Sequence, residues 1–410
     1  MESLEARKPF YATDPEQHLI TIAPTGAGKG VSCIIPTLLR YPGSCVVVDT
    51  KGEAAAVTAR QREQMGHKVV VIDPFEASGI ACGALNPLGA FSLLSTSVEN
   101  FALSVPECLH PGHTGSLSDP FWDNRGDGLT AGVAAAVLTA FPPSERNLLK
   151  IRDLLNADDV VYNLAVLLDT KGKEIPLLAQ QQIGAFLQTE DKCRSGILAT
   201  AQQHLASLYD PGVEGALRES SFDLTAFRDG APVTIYLVIP PNQLPSYGRL
   251  LRIWIHTLLS IALSRRTRPE LPTLFIIDEA AALGTLSTLR TAVTLLRGYG
   301  VRTWTFWQDA SQLKRLYPDW ETIVNNAGIL QVFGVNNHLA AKAAAELLGE
   351  QITQRDLLRT PRDEQVVLQA GGYLQRLRKL DYLQDKPFSG CFQPNPFYAR
   401  THGRGAAAQR

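Results

Sequence analysis

A glycine-rich segment near the start of the chain has the composition of a phosphate-binding loop. It follows a short apolar run and precedes a helical pattern, which is the context that a phosphate cradle requires. Glycines in such a turn let backbone N–H groups converge on phosphate oxygens, and Lys29 would reach the β- and γ-phosphates of ATP. The residues predicted to hold the phosphates are Thr25, Gly26, Ala27, Gly28, Lys29, Gly30 and Val31.

Two positions of this segment depart from the usual pattern, which is GxxxxGK followed by Ser or Thr. Ala23 replaces the first glycine, and Gly30 replaces the hydroxyl residue that usually contacts magnesium. A glycine-rich turn between a strand and a helix, without a ligand, is therefore an alternative interpretation of the segment taken alone.

Two adjacent acidic residues, Asp278 and Glu279, end an apolar run that begins at Thr273. P-loop ATPases hold Mg²⁺ and polarise the attacking water at such a strand end. We expect Asp278 to hold Mg²⁺ through a water molecule and Glu279 to act as the general base. The alternative is a helix start whose acidic residues suit the helix dipole. Because parallel strands end at one edge of a sheet, Lys29 and the acidic pair would face the same crevice.

Two further polar residues follow neighbouring elements. Gln308 ends the next apolar run, where it would sense the γ-phosphate or orient a water, unless it only bonds to a loop. Arg297 ends the preceding helical stretch, just before Gly298. It would act across a subunit boundary as an arginine finger, or else serve as a cation favoured at a helix C-terminus.

Other groupings give weaker signals. Cys108, His110 and His113 lie close together in the chain, but a zinc site would need a fourth ligand. The basic runs at residues 265–268 and 376–379 suit phosphate backbones, although a solvated surface is the more ordinary interpretation. The sequence has no GxGxxG motif with a following acidic ribose ligand, so a dinucleotide-binding dehydrogenase is not supported.

The elements that would position these residues are short apolar strands and helices in alternation. β-Branched, fully apolar strands separated by helices indicate an α/β fold with a mostly parallel sheet covered on both faces. Pro36 is expected to kink the helix after the phosphate loop. Strands are predicted at residues 18–23, 44–49, 69–73, 233–239, 273–278, 303–307 and 330–335.

The residues between the third and fourth predicted strands show helical periodicity and no strand pattern. Clear helical stretches lie at residues 121–141, 160–168 and 177–208. The sequence therefore predicts a nucleotide-binding α/β domain interrupted by an all-α domain. The predicted limits are 1–88 and 223–400 for the α/β domain, 89–222 for the all-α domain and 401–410 for a flexible tail.

The composition describes a chain that can bury a large core and carries almost no net charge. It has 410 residues, 45% of them hydrophobic, and a formal net charge of −1. A histone-like DNA binder is not indicated, whereas a motor that grips DNA with a few loops is compatible. Six dispersed cysteines without a CxxC pair predict a reduced, cytosolic protein. The longest apolar stretch, at residues 250–263, is too short for a membrane helix.

Several of these segments together resemble the TraG-type coupling proteins of type IV secretion and conjugation. The resemblance spans nearly the whole chain. Lysine followed by glycine is usual in the phosphate loop of that family, which accounts for Gly30. The segments that carry the resemblance are APTGAGKG, VVVDTKGE, ALNPL, FWDNRGDGL, TIYLVIPP, LFIIDEAAALG, LLRGYGV, WQDASQLKRLYP and a later NPF.

The resemblance implies a RecA-like P-loop domain with an all-α insertion, ATP and Mg²⁺ as ligands, and a homo-hexameric ring with ATP at subunit interfaces. It also implies recruitment of DNA (single- or double-stranded) with its relaxase, or of effector proteins, and delivery to a type IV secretion channel. By motif position, Lys29, Asp278, Glu279, Gln308 and Arg297 match the family's ATP-site residues. The expected location is the cytoplasmic face of a bacterial inner membrane.

Members of that family usually begin with transmembrane helices, whereas the first predicted strand here begins at residue 18. The sequence leaves open whether an anchor was removed or whether the chain reaches the membrane through a partner. Two other functions also stay open. A DNA pump of the FtsK/HerA kind would share the motor but not the secretion channel. A nucleotide-binding docking platform would fit the missing loop hydroxyl, although the retained Glu279 favours hydrolysis.

Overall fold

A computed structural model of the chain describes residues 17–110, 120–295, 297–349 and 351–397, without the side chains of Leu295 and Arg297. The predicted tail at 401–410 lies outside these residues. The described strands are β1 His18–Ile22, β2 Cys45–Asp49, β3 Lys68–Ile72, β4 Val233–Val238, β5 Thr273–Ile277, β6 Val301–Trp307, β7 Ala327–Phe333, β8 Glu364–Gln369 and β9 Tyr373–Arg378.

These strands form one sheet in the order β3-β4-β2-β5-β6-β1-β7-β8-β9. β1 is parallel to β6 and β7, and β5 is parallel to β2 and β6. Strands β1, β2, β5 and β6 are buried along their whole length, as expected for parallel strands covered on both faces. The predicted α/β fold with a mostly parallel sheet is confirmed.

The last two strands were not predicted. β8 is antiparallel to both β7 and β9, so the sheet ends in an antiparallel hairpin. Gly371 and Gly372 connect β8 to β9 with φ values of 93° and 82°, a left-handed conformation that glycine adopts without steric cost. The hairpin brings the basic run at residues 376–379 to the end of β9.

The described helices begin between β1 and β2 and continue to the hairpin. They are α1 Ile35–Leu38, α2 Glu53–Gln64, α3 Val98–Leu109, α4 Pro120–Ala140, α5 Leu148–Leu155, α6 Val160–Lys171, α7 Leu177–Leu187, α8 Asp191–His204, α9 Pro211–Arg218, α10 Leu224–Arg228, α11 Leu244–Leu263, α12 Ser287–Leu295, α13 Ala310–Leu316, α14 Trp320–Asn325, α15 His338–Leu348 and α16 Gln354–Leu358.

The helix that follows the predicted phosphate loop is irregular. It starts as a π-helical turn, Gly30–Ile34, and continues as α1 with Pro36 in the first turn. Proline is tolerated there because the first helical N–H groups have no partner within their own helix. The irregularity expected from Pro36 therefore takes the form of a π turn, a feature that is frequent at functional sites.

The chain divides into two compact units. The first consists of the described residues of Met1–Val69, Asp229–Tyr236 and Arg266–Arg410, and the second of those of Val70–Arg228 and Leu237–Arg265. This division follows packing, and the domain limits at residues 88 and 222 stay a prediction.

The second unit is organised around α4. This helix contacts α3, α5, α7 and α8, and its second half is almost wholly buried. Small residues dominate that half, in the run Thr-Ala-Gly-Val-Ala-Ala-Ala from Thr130 to Ala136, so neighbouring helices can approach it closely. Within the described part of the chain, no helix combines the length and apolar character that crossing a membrane requires.

Candidate nucleotide-binding site

The predicted phosphate loop connects β1 to the π turn. Its backbone depends on two glycines, because Gly26 and Gly28 have φ values of 77° and 91°. A hydrogen bond from Ala23 N to Trp307 O (2.8 Å) fixes the start of the loop beside β6. Thr25 and Gly26 are exposed, and Val31 packs against a buried apolar cluster that includes Ile35. The loop therefore presents its tip to solvent while its helical end is held in the core.

Lys29 lies between the loop and the predicted acidic pair. Its Nζ is 3.4 Å from Asp278 Oδ1 and 3.5 Å from Glu279 Oε2, with the Lys29 side chain only 12% exposed. The two acidic side chains are 22% and 24% exposed. Three charges of mixed sign thus meet in a largely desolvated crevice, as the parallel-strand argument predicts.

Glu279 has an unusual backbone. Its φ is 57°, and among the described non-glycine residues only Glu76 shares a positive φ. The left-handed conformation costs an L-residue about 1–2 kcal/mol, and such strain concentrates at functional sites. The Glu279 N–H donates to Asp278 Oδ1 at 3.1 Å, which ties the turn to the neighbouring carboxylate.

Gln308 reaches the same carboxylate from the next strand. Its Nε2 donates to Glu279 Oε1 at 2.6 Å, while its own N–H donates to Gln312 Oε1 at 3.0 Å. Asp309 caps α13 by accepting from Ser311 N and Gln312 N. The start of α13 therefore holds Gln308 in place, and Gln308 in turn orients Glu279.

Arg297 is the one residue of the predicted ATP site whose side chain the structure does not describe. Its backbone belongs to a short 3₁₀ turn, Arg297–Tyr299, between α12 and β6, rather than to the end of α12. The position of the Arg297 guanidinium relative to the crevice therefore stays a prediction.

Glu53 is a neighbour of the loop that sequence reasoning did not single out. A Cβ atom built on Gly30 would lie 3.9 Å from Glu53 Oε2, so a carboxylate lies near the space that a Ser or Thr side chain would enter. Glu53 Oε1 accepts from Asn395 Nδ2 at 2.6 Å, and Asn395 Nδ2 also donates to the Tyr382 hydroxyl at 2.8 Å. Glu53 and Asn395 both belong to segments that carried the family resemblance, which was the available signal.

Lys379 is an exception within the second basic run, whose Arg376 and Arg378 are exposed, as expected for a solvated surface. This lysine is buried, and its Nζ donates to Ala27 O at 3.1 Å and to Arg362 O at 2.9 Å. Its ammonium also lies 4.0 Å from the centre of the Phe333 ring, and burial lowers its pKa. A cavity of about 390 Å³ lies beside the loop and is lined by Thr25, Gly26, Ala27, Arg362 and Lys379, among others. The lysine thus supports the loop from the side of that cavity.

The first basic run contains a similar exception, whereas its Arg266 and Arg268 are exposed. Arg265 is buried, and its Nε donates to Arg228 O at 2.9 Å. Its guanidinium also lies 5.7 Å from the centre of the Phe227 ring. Arg265 is therefore a packing and capping residue rather than part of a solvated phosphate-binding surface.

Asp49, at the end of β2, is a buried carboxyl beside the acidic residues. It accepts hydrogen bonds from Ala55 N (2.9 Å) and Lys51 N (3.3 Å), which orients the start of α2. Burial is the largest cause that raises the pKa of Asp49 to about 7, and the negative charges of Asp278 and Glu53 add to it. The carboxyl therefore titrates in a range where a surface aspartate is fully ionised.

Of the weak zinc grouping Cys108, His110 and His113, the structure describes the first two residues. Burial raises the pKa of the Cys108 thiol to about 12, so it is a poor thiolate ligand. His113 lies outside the described residues. His110 instead lies beside Asp127 and His204.

A P-loop after β1, an acidic pair at the end of β5, one strand removed in the sheet, and a mostly parallel strand order define a RecA-like α/β protein of the P-loop class. The family model described as "Type IV secretory system Conjugative DNA transfer" matches residues 1–357. The chain belongs to that family.

Similar proteins include the conjugal transfer protein TraG of Escherichia coli, 27% identical over 367 residues. That match covers 82% of this chain and 56% of TraG. Protein VirD4 of Rhizobium radiobacter is 28% identical over 338 residues, which covers 79% of this chain and 46% of VirD4. The chain therefore spans about half the length of these curated relatives.

Solved structures of similar fold include two of the plasmid coupling protein TrwB. The complex of TrwB with the ATP analogue ADPNP has a TM-score of 0.69 and 18% identity. The complex of TrwB with ADP and Mg²⁺ has a TM-score of 0.66 and 16% identity. Both matches cover 89% of this chain and 85% of TrwB. This likeness establishes the RecA-like fold with its helical insertion.

Proposed function

We propose that this chain is an ATP-driven coupling protein that recruits DNA with its relaxase, or effector proteins, and delivers this cargo to a type IV secretion channel. Membership of the family described as "Type IV secretory system Conjugative DNA transfer" supports the proposed transfer of cargo to a secretion channel. The observation that carries the motor activity is the meeting of Lys29, Asp278, Glu279 and Gln308 in one crevice. A docking platform would have no need of the strained Glu279 backbone or of the amide that orients its carboxylate.

ATP would lie with its phosphates on the loop formed by residues 25–31. Gly26 and Gly28 allow the backbone to curve around an anion, and Lys29 would exchange its contacts with carboxylates for contacts with the β- and γ-phosphates. Asp278 fits an Mg²⁺ ion held through water, because its carboxylate is partly exposed at the strand end beside Lys29. When bound, Mg²⁺ would neutralise charge on the phosphate oxygens. Glu53, near Gly30, is a second carboxylate that would face the ion's water shell in place of the missing hydroxyl.

Glu279 would accept a proton from the water that attacks the γ-phosphate. A general base must lie within hydrogen-bond reach of that water and in a fixed orientation. Gln308 supplies the orientation through its 2.6 Å bond to Glu279 Oε1, which leaves Oε2 to face the loop side, where Lys29 lies. Glu279 would then release this proton to solvent, because its side chain is 24% exposed.

Arg297 would complete the site of a neighbouring subunit in a homo-hexameric ring. A trans arginine stabilises charge that develops on the transferred phosphoryl group and contributes about 10³ to 10⁵ in rate. ATP hydrolysis would therefore depend on assembly of the hexamer, because each site would need the arginine of a neighbouring subunit. The helical region at residues 89–222 is proposed to recognise cargo, and the chain would work at the inner membrane through an anchor or a membrane partner.

The test is steady-state ATP hydrolysis with and without single-stranded DNA. Lys29→Ala is the inactive reference, and Lys173→Ala, at an exposed position of the helical unit, is the matched control. Hydrolysis that DNA increases, that Lys29→Ala abolishes and that Lys173→Ala leaves intact would support the proposal. ATP binding with turnover no higher than that of Lys29→Ala, at every protein concentration, would refute the motor.

A further inference from the structure

Two histidines and an aspartate meet within the helical unit, far along the chain from the phosphate loop. The Nδ1 of His110 lies 3.6 Å from Asp127 Oδ1, and the Nε2 of His204 lies 3.5 Å from the same oxygen. One potential ligand atom from each of the three residues lies within 4.8 Å of the other two. We propose that His110, Asp127 and His204 bind a divalent transition-metal ion, with Zn²⁺ as the ion that the site fits best.

The three residues come from three different helices. His110 is the C-cap of α3, Asp127 lies in the first half of α4, and His204 is the last residue of α8. Gly126 permits the close approach of α4 to α8, because a Cβ atom there would lie 2.7 Å from Thr200 Cγ2 and 3.3 Å from Ala201 N. A bound ion would therefore link three helices at one point.

The distances suit an ion better than direct hydrogen bonds. Tetrahedral Zn²⁺ with ligand bonds of about 2.0–2.2 Å places its ligand atoms roughly 3.3–3.6 Å apart. The two measured N···O distances of 3.5 and 3.6 Å fall in that range, whereas N–H···O bonds are usually about 2.7–3.2 Å. Asp127 Oδ1 is buried and accepts no hydrogen bond from the described residues. An oxygen in that position calls for a cation between it and the two imidazoles.

The donor set identifies the class of ion. Two imidazoles and one carboxylate bind Zn²⁺ and other first-row divalent metals, whereas Mg²⁺ and Ca²⁺ prefer oxygen ligands alone. Three protein ligands leave a fourth position for water. The Asp127 side chain is 35% exposed, whereas its Oδ1, the proposed ligand atom, is buried. The His204 side chain is almost wholly buried, at 2% exposed.

The surrounding charges are of both signs. Asp123, one turn before Asp127 on α4, contributes a negative charge near both histidines. Arg252 and Arg249, both on α11, contribute positive charges near His110 and His204 respectively. The site therefore does not collect an excess of positive charge that would repel a cation.

The experiment is titration of the metal-free full chain with Zn²⁺ against a chromophoric chelator, together with thermal unfolding with and without the ion. We expect one tight equivalent of Zn²⁺ and a higher Tm when it is bound. Asp127→Ala and His204→Gln should each weaken binding by more than about tenfold and remove the Zn²⁺-dependent rise in Tm. His338→Gln, at an exposed position of α15, is the matched control and should bind as the unmodified chain does.

Circular dichroism of both site variants establishes whether they fold, and each is judged only against its own metal-free form. If one of them does not fold, the other still decides the matter, since they lie on different helices. The proposal would be overturned if the chain bound no Zn²⁺, or if a folded site variant retained the same stoichiometry and affinity.

Discussion

The amide of Gln308 donates a 2.6 Å hydrogen bond to Glu279 Oε1, across the ends of two adjacent parallel strands. Glu279 is otherwise held by a left-handed backbone and by the ammonium of Lys29, 3.5 Å from its second oxygen. The carboxylate is thus constrained at its backbone and at both oxygens. In its proposed role as general base, Glu279 would therefore need little reorganisation when it meets a water molecule.

Replacement of Gln308 by alanine is expected to lower kcat for ATP hydrolysis on the order of 10²-fold, with little change in ATP affinity. The reason is that Glu279 loses its orienting donor, and misplacement of a catalytic group by about 1 Å has a cost of that size. Steady-state kinetics and equilibrium nucleotide binding separate the two effects. Gln64→Ala, on the exposed face of α2, is the control. A Gln308→Ala protein with unchanged kcat would show that the hydrogen bond has no catalytic role.

Replacement of Glu279 by glycine is expected to abolish hydrolysis without destabilising the fold. Glycine adopts a φ of 57° without the steric cost of about 1–2 kcal/mol, although it loses more entropy on folding. We therefore expect the free energy of unfolding to stay the same or rise by up to about 1 kcal/mol. Urea denaturation measures this quantity.

The matched control for that strain is Glu76, the other described non-glycine residue with a positive φ (56°). Glu76→Gly should have the same effect on stability and leave hydrolysis intact. Glu279→Gln should keep the strain and lose hydrolysis. A marked loss of stability in Glu279→Gly alone would mean that its side-chain contacts outweigh the strain.

Replacement of Lys379 by methionine is expected to weaken ATP binding about tenfold. Hydrogen bonds from charged groups contribute about 1.5–3 kcal/mol, and loss of the bond to Ala27 O would loosen the loop that receives the phosphates. Methionine keeps most of the apolar contact with Phe333. Isothermal titration calorimetry with a non-hydrolysable ATP analogue gives Kd, with Lys342→Met at an exposed position as control. Equal Kd values for the two variants would exclude a role of Lys379 in loop positioning.

The stability contributed by Asp49 is expected to decrease as pH rises. Its pKa is raised from 3.8 to about 7 in the fold, so the folded state binds the proton more tightly than the unfolded chain does. Stabilisation from this group is therefore complete below about pH 4 and is lost as pH rises through about 7.

The variant Asp49→Asn isolates this contribution, because the other titrating groups are common to both proteins. As pH rises from 4 to 7, the free energy of unfolding of Asp49→Asn should increase relative to that of the unmodified chain, by up to about 1.4 kcal/mol per pH unit. Unfolding curves at several pH values measure the difference. A difference that does not vary with pH would show that Asp49 is ionised throughout this range.

Mixing two inactive variants tests the trans role of Arg297. Arg297→Ala keeps the catalytic carboxylate, and Glu279→Gln keeps the arginine. In random mixed rings about one interface in four combines both intact residues, so an equal mixture should recover about a quarter of the unmodified rate. ATPase assays of preassembled mixtures measure the recovery. Activity that stays at the level of the separate variants would argue that Arg297 acts within its own subunit or not at all.

Local patterns were enough to predict the sheet strands of the first unit that carry the crevice. Val46, Val47 and Val48 lie in a buried strand because a run of β-branched residues without polar interruption is stable only between two covered faces. Strand ends then placed Lys29 and Asp278 at one edge. The hairpin of β8 and β9 was missed because its residues are largely polar, although the Gly371–Gly372 pair was an available turn signal.

Contacts between distant segments could not be predicted from local patterns. Lys379 reaches Ala27 across 352 positions, and Asn395 reaches Glu53 across 342. A lysine in a basic run has the same local pattern whether it is solvated or buried against a carbonyl. His110, Asp127 and His204 likewise come together only through helix packing, which their spacing in the chain does not reveal.

The hydrogen bond from Lys379 to Ala27 also sets an order of events during synthesis. At about 5–20 residues per second, the ribosome adds Lys379 roughly 20–70 seconds after Ala27, from which it is separated by 352 positions. Until then the phosphate loop exists without the lysine that supports it. A nascent chain that has not yet reached Lys379 would therefore bind ATP weakly, and full affinity for nucleotide would arise only after this lysine has been added.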